Sequence, residues 1–403
     1  LVGSEMCIRD SISSLYELAS TVASAIRSGE FTSNISLENR PGRSMVLSRI
    51  DPARVACEKK IDMVKKAEET AWKQDTSVVQ VKVMYGDSSR NVLVANSNGF
   101  VSKDKRESLI FVVQGVVAKD SLMETGYEPV GGARGFELLE EIPPEEIALL
   151  AIQRALKTLH ARKAPAGTMP VVLSSDAGGT MVHEAIGHGL EADLAGEGLS
   201  VYSSQIGNMV ASPAITVIDD GTIEGLRGSM GYDDEGNPTT RTVLVDKGIL
   251  RTYLTDFMTA RRFNLPLSGN GRRESYRHRP IPRMTNTLIH PGEMNPAEIV
   301  AMVDKGIFVK KMGGGQVNTV TGDFVFSVAE GYLIERGKVG QPIRGATLIG
   351  NGPKILNSIE YVGNDLGYGI GTCGKDGQGC PVADAQPTLL IPEITVGGQI
   401  GQA

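Results

Sequence analysis

Cysteine is scarce in this sequence: Cys7, Cys57, Cys373 and Cys380 are the only four in 403 residues. That is too few for a disulfide framework and suits a reducing compartment, so a cytoplasmic protein is expected. Long apolar runs are missing as well. The longest apolar helical candidate, Ile147 to Leu159, is interrupted by Gln153, Arg154 and Lys157, well short of the roughly 18 residues a membrane span needs. Basic residues do not predominate. The formal net charge is −6 and the pI about 5.6, which argues against nucleic acid and anionic membrane surfaces as partners. No internal repeat or low-complexity tract is found. The opening LVGSEMCIRDS lacks an initiator Met, a charged leader and an apolar core, so it has no signal-peptide character. Residues 1–11 read as a translated adapter scar.

What is present is apolar material, 41% of the residues, in a chain longer than one hydrophobic core usually supports. Two domains are therefore expected. In the first, residues 12–165, Ile12, Leu15, Leu18, Val22 and Ile26 recur at helical spacing. A second helix is predicted from Asp51 as N-cap, with Pro52 in its first turn, to about Trp72, with Val55, Cys57, Ile61 and Val64 on its inner face. The runs VVQVKVMYG, NVLVANSNG and SLIFVVQGVVAKD, separated by turn residues, read as an antiparallel meander. Pro144 then opens a helix whose inner face carries Ile147, Leu150, Ala151, Ala155 and Leu159. The APAG stretch, Ala164 to Gly167, marks the boundary.

The second domain, residues 166–403, is expected to hold a strand over Pro170 to Ser174, a His-containing helix, and many short strands. Further helices are predicted near 255–263, 296–304 and 351–364. Few strands are joined by a full crossover helix. The fold class expected is α+β: a helix-and-antiparallel-sheet domain followed by a larger, mainly antiparallel β-rich domain with the metal-binding helix.

The segment GGTMVHEAIGHGLEAD, Gly178 to Asp193, places two of the five histidines and a carboxylate within six residues. Two histidines on one helix face with a glutamate beside the first is the pattern of zinc peptidases, in which the glutamate is the general base. Their usual spacing is four residues; His183 and His188 are five apart. On a regular helix such residues point about 140° apart, so the helix has to widen, unwind or end near His188. Gly187 and Gly189 permit this. A catalytic zinc needs a third protein ligand, and Cys373, among the glycines of GIGTCGKDGQGC, is the candidate, with Cys380 as fallback. Arg272, Arg273, Arg277, Arg279 and Arg283 surround Tyr276 and His278 within twelve residues. Either they are solvated or paired with acids, or Arg273, Tyr276, Arg277 and His278 bind substrate, with an arginine fork gripping a carboxylate.

HEAIGHGLEAD, RRESYRHRPIPRMTN and GTCGKDGQ, in this order, resemble the TldD branch of the TldD/PmbA metallopeptidases, also called modulators of DNA gyrase. The resemblance runs from about residue 12 to the C-terminus. It implies zinc held by His183, His188 and Cys373, with Glu184 beside the first ligand. It also implies pairing with a PmbA/TldE-like subunit or a second copy, and unfolded or short peptides as substrates. About one strand-and-helix unit of the family's N-terminal domain is expected to be absent. Two other readings share these residues: a non-catalytic scaffold subunit with a structural metal, and a zinc hydrolase of small amides. A role on DNA finds no support in the acidic composition.

Overall fold

The computed structural model of the chain describes Tyr16, Glu17, Ser20, residues 36–96 and residues 98–398. The opening residues 1–11 and, but for those three positions, the helix expected over Ile12 to Ile26 lie outside the described residues.

Asp51 caps a helix start, its side chain accepting the Ala53 N–H at 2.9 Å. It starts only one 3-10 turn, Pro52–Arg54, because the β-branched Val55 is extended. Helix α1 begins afresh at Cys57 and runs to Trp72, so the single helix expected here is two. Its buried stripe is Ala67 and Ala71, flanked by Met63 and Val64. Ile61, placed inward by the sequence, is 46% exposed, because it lies about 120° around the helix from Ala67. Cys57, in the first turn, is also exposed.

Strands β1 (Val78–Ala95), β2 (Phe100–Lys119) and β3 (Leu122–Gly132) form the antiparallel meander. The GDSSR stretch at 86–90 reads as a turn but continues β1, paired residue by residue with Arg106 to Ile110 of β2. Helix α2, Pro144–Leu159, crosses this sheet. Its inner face runs through Ala148, Ala151, Ile152 and Ala155, which leaves Leu150 42% exposed rather than buried. Gly126 of β3 lets the two approach: a Cβ there would strike the Ala151 carbonyl.

The rest of the chain is built on two sheets. In the first, β4 (Gly167–Leu173), β8 (Lys305–Val317), β9 (Asp323–Glu335), β11 (Thr347–Asn351) and β14 (Leu389–Gly397) pair in the ring β8-β4-β14-β11-β9-β8. β10 (Lys338–Arg344) extends it from β9. Only the β4–β8 pairing within the ring is parallel. The second sheet orders β12 (Gly367–Lys375), β13 (Gln378–Gln386), β7 (Asn286–Ile289), β5 (Val217–Asp220) and β6 (Arg241–Asp246). Helices α3 (Phe257–Phe263), α4 (Pro296–Ala301) and α5 (Gly352–Ser358) are shorter than the sequence suggests. The architecture is mixed and strand-rich, with both sheets mainly antiparallel. Residues 180–190 lie between the sheets, packed on β8 and β9 on one side and β7 on the other.

Candidate metal centre

The segment starts as a single α-helical turn, Thr180–Val182, widens into a π turn over His183–Gly187, and tightens to a 3-10 turn over His188–Leu190. In the π turn the His188 N–H reaches the His183 carbonyl, five residues back. The extra residue swings His188 over His183 instead of away from it. Gly187 fits against Met284, whose sulfur would clash with a Cβ at that position.

The two imidazoles stand edge to face with centroids 4.9 Å apart. Cys373, on β12, brings its Sγ to 3.3 Å from His188 Nε2, and ligand-capable atoms of all three residues lie within 4.8 Å of one another. Each ring is held from behind by a carboxylate. His183 Nδ1 bonds Asp384 at 2.8 Å, and His188 Nδ1 bonds Glu191 at 2.9 Å. An Nδ1–H donating to a carboxylate leaves the Nε2 lone pair for a metal. Two imidazoles and a thiol, oriented in this way, fit zinc by donor chemistry.

Without a metal, the same closeness of rings and thiol favours imidazolium and thiolate forms, the charge of His183 and His188 being balanced by Asp384, Glu191 and Cys373. Burial pushes the Cys373 thiol up, but hydrogen bonds and charge from His183 and His188 outweigh it and bring its pKa down to about 5. Burial of Glu191 is likewise outweighed, by His188 and Lys375, and its pKa falls to about 2. Glu184 is the opposite case, its pKa raised by burial. Among the described residues its carboxylate has no hydrogen-bond partner, and it faces a cleft of about 920 Å³ that His183, His188 and Cys373 also line.

The cleft therefore gathers His183, Glu184, His188 and Cys373. Cys380 stands opposite Cys373 across the β12–β13 hairpin and is buried, but its thiol does not join the converging atoms. Arg273, Tyr276, Arg277 and His278 do not line the cleft. Arg277 stacks on Tyr276, His278 bonds Ser275 at 3.0 Å, and the Arg273 N–H donates to Asp234. Arg272 is buried, its guanidinium donating to the carbonyls of Met284 and Pro381.

Sequence reasoning missed Asp384, Glu191 and Lys375. Glu191 had a local signal, since it follows His188 by three residues and so shares its face. Asp384 and Lys375 had none, because only the fold brings β12 and β13 to the histidines.

Comparison with known proteins agrees with these observations. Residues 50–159 match the model of the PmbA/TldA metallopeptidase central domain and residues 166–398 that of the PmbA/TldA metallopeptidase C-terminal domain. A metalloprotease TldD homolog of Haemophilus influenzae is 42% identical over 348 residues, covering 85% of this chain and 72% of that protein. A metalloprotease of Methanothermobacter thermautotrophicus is 35% identical, covering 88% of this chain and 78% of its own length. Among solved structures, TldE from Thermococcus kodakarensis superposes with a TM-score of 0.69 at 18% identity, covering 96% of this chain and 84% of that one, and so shares the fold. The chain belongs to the PmbA/TldA metallopeptidase family, among the TldD homologues.

Proposed function

We propose that the chain is a zinc-dependent peptidase that cleaves unfolded or short peptides, with His183, His188 and Cys373 as ligands and Glu184 as general base. The observation that carries this reading is that, among the described residues, three donors and not four converge on an open cleft beside an unpartnered carboxylate. A structural site closes with four protein ligands; a catalytic one keeps a position open. That count favours the peptidase over a scaffold subunit.

Zinc bound there would supply Lewis acidity and a water whose pKa is lowered to roughly 7. Glu184, its own pKa raised by burial, is suited to accept a proton at its carboxylate and return it to the leaving amine. Asp384 and Glu191 hold the rings in the required tautomer. The substrate class follows from the cleft wall. β12 ends its sheet among the described residues, and its edge would take an extended peptide as an added strand, through backbone bonds that read little sequence, beside Arg227, which donates to the Gly371 carbonyl and Thr372 Oγ1. Gly371, Thr372 and Gly374 of that strand line the cleft around Cys373. This wall favours peptides over small amides. The arginine loop, outside the cleft, has no part in this reading. A TldE-like subunit or a second copy of the chain is the partner we propose.

The test is metal content by elemental mass spectrometry on wild type, His183→Ala and Cys373→Ala, with casein-derived peptide hydrolysis assayed alongside Glu184→Gln. One zinc in wild type, lost from both ligand variants, is expected. Glu184→Gln should keep zinc and lose about 10²- to 10⁴-fold in rate. Wild type without zinc, or Glu184→Gln at full activity, sinks the proposal.

A further inference from the structure

Lys375 lies on β12 two residues beyond Cys373, and its side chain is only 8% exposed. Its ammonium is 3.0 Å from Glu191 Oε2 and 2.7 Å from Asp193 Oδ1, and donates to the Pro282 carbonyl at 3.1 Å. All three of its hydrogens thus have acceptors. Glu191 Oε2 is the same atom that accepts from His188 Nδ1. The Glu191 side chain is fully buried and its Oε1 has no hydrogen-bond partner. A buried carboxylate that loses its cation is destabilised and tends to be displaced from its place.

We propose that Lys375 is a positioning residue for the metal centre: its buried ammonium fixes the place of the Glu191 side chain, whose Oε2 orients the His188 ring. The role rests on the reading of His183, His188 and Cys373 as zinc ligands. It also assigns β12 a double task. The strand that supplies the thiol from one residue stabilises the support of a histidine from another, so thiol and imidazole are set by one piece of backbone. Asp384, which supports His183, has no such cation among the described residues and is 13% exposed. Solvent screens part of its charge, whereas Glu191 depends on Lys375.

The experiment compares the full-length wild type, Lys375→Met, Glu191→Gln and the double variant. Zinc affinity is measured by competition with a chromophoric chelator, and the His188 tautomer by nitrogen NMR of the metal-free protein at a pH high enough for the ring to be neutral. We expect Lys375→Met to weaken zinc binding about 10- to 100-fold and to shift the His188 nitrogens away from the Nδ1–H form. The double variant, which removes cation and anion together, is expected to bind no more weakly than Glu191→Gln alone. It also carries the test if Lys375→Met does not fold. Losses that add in the double variant would show Lys375 acting independently of Glu191 and overturn the role. So would an unchanged tautomer and affinity in Lys375→Met. Wild type that binds no zinc would instead end the peptidase reading, while the NMR comparison still decides whether Lys375 orients His188.

Discussion

Beneath the β1–β3 sheet the core is built mainly of apolar side chains, Phe111, Phe136, Ile147, Ile152 and their neighbours, with Arg154 and Thr158 buried at its edge. The core of the second unit is larger, and one margin of it is polar. Met181, Val182, Ala185 and Ile186 pack in the apolar cluster, while His183, Glu191 and Cys373 are buried among them. Burial serves a different end in each place. In the first it removes hydrocarbon from water and adds stability. In the second it lowers the local dielectric around a few charged groups, strengthening the bonds that hold the rings and making any unpaired charge costly. A substitution should therefore be felt as stability in one core and as metal affinity at the margin of the other.

The largest expected effect tests the first half of that contrast. Phe111→Ala opens a cavity under the meander and should cost about 3–5 kcal/mol in chemical denaturation, with zinc affinity of the folded protein unchanged. A parallel fall in zinc affinity would mean that the two cores act as one unit. Asp384→Asn addresses the other half. It keeps the shape of the His183 support but weakens the acceptor, and is expected to lower zinc affinity about 10- to 100-fold with little change in the denaturation midpoint. Equal loss of stability and affinity would make the polar margin structural after all.

A pH series is expected to show a smaller effect, away from both cores. Burial, reinforced by neighbouring acids, pushes Asp233 up to about 7 and Glu235 up to about 8. The folded protein then keeps protons that the unfolded chain has released, so their stabilisation is full below the ordinary carboxylate range and lost as pH rises through about 7 to 8. Denaturation midpoints should decline over that window, and less steeply in Glu235→Gln; identical slopes would remove Glu235 as a cause. Smallest of all, Arg277→Ala on the exposed loop should change stability by less than about 0.5 kcal/mol and leave cleavage of peptides with free C-termini unaltered. A selective loss on such peptides would return the loop to substrate binding.

Legibility in the sequence divides along the same line. Helix α2 was readable because Pro144 and the apolar spacing after it are local signals. Although VVQVKVMYG and NVLVANSNG belong to one strand and β3 carried no such signal, an antiparallel sheet before the helix was readable from the β-branched runs. The length of β1 was not, since GDSSR carries turn chemistry and only its pairing with β2 keeps it extended. At the metal centre, the five-residue separation of His183 and His188 demanded a distorted helix on geometric grounds, and a π turn meets the demand. The arginine-rich loop misled because charge density says nothing about which cavity a side chain faces. Its backbone N–H groups donate to Asp234 and to Gln378 of the hairpin, and the Glu274 carboxylate accepts the Gly379 N–H at 2.6 Å.

Cys373, Lys375 and Asp384 all belong to the hairpin of β12 and β13, closed by a tight turn at Asp376 and Gly377. The histidines precede it by nearly half the chain. During synthesis, then, a polypeptide that has emerged only as far as α5 carries both imidazoles and Glu191 but lacks the thiol of Cys373, the Lys375 ammonium and Asp384, the support of His183. Metal acquisition is in this way tied to a late long-range contact, and zinc occupancy would report that the hairpin had docked beside the histidines.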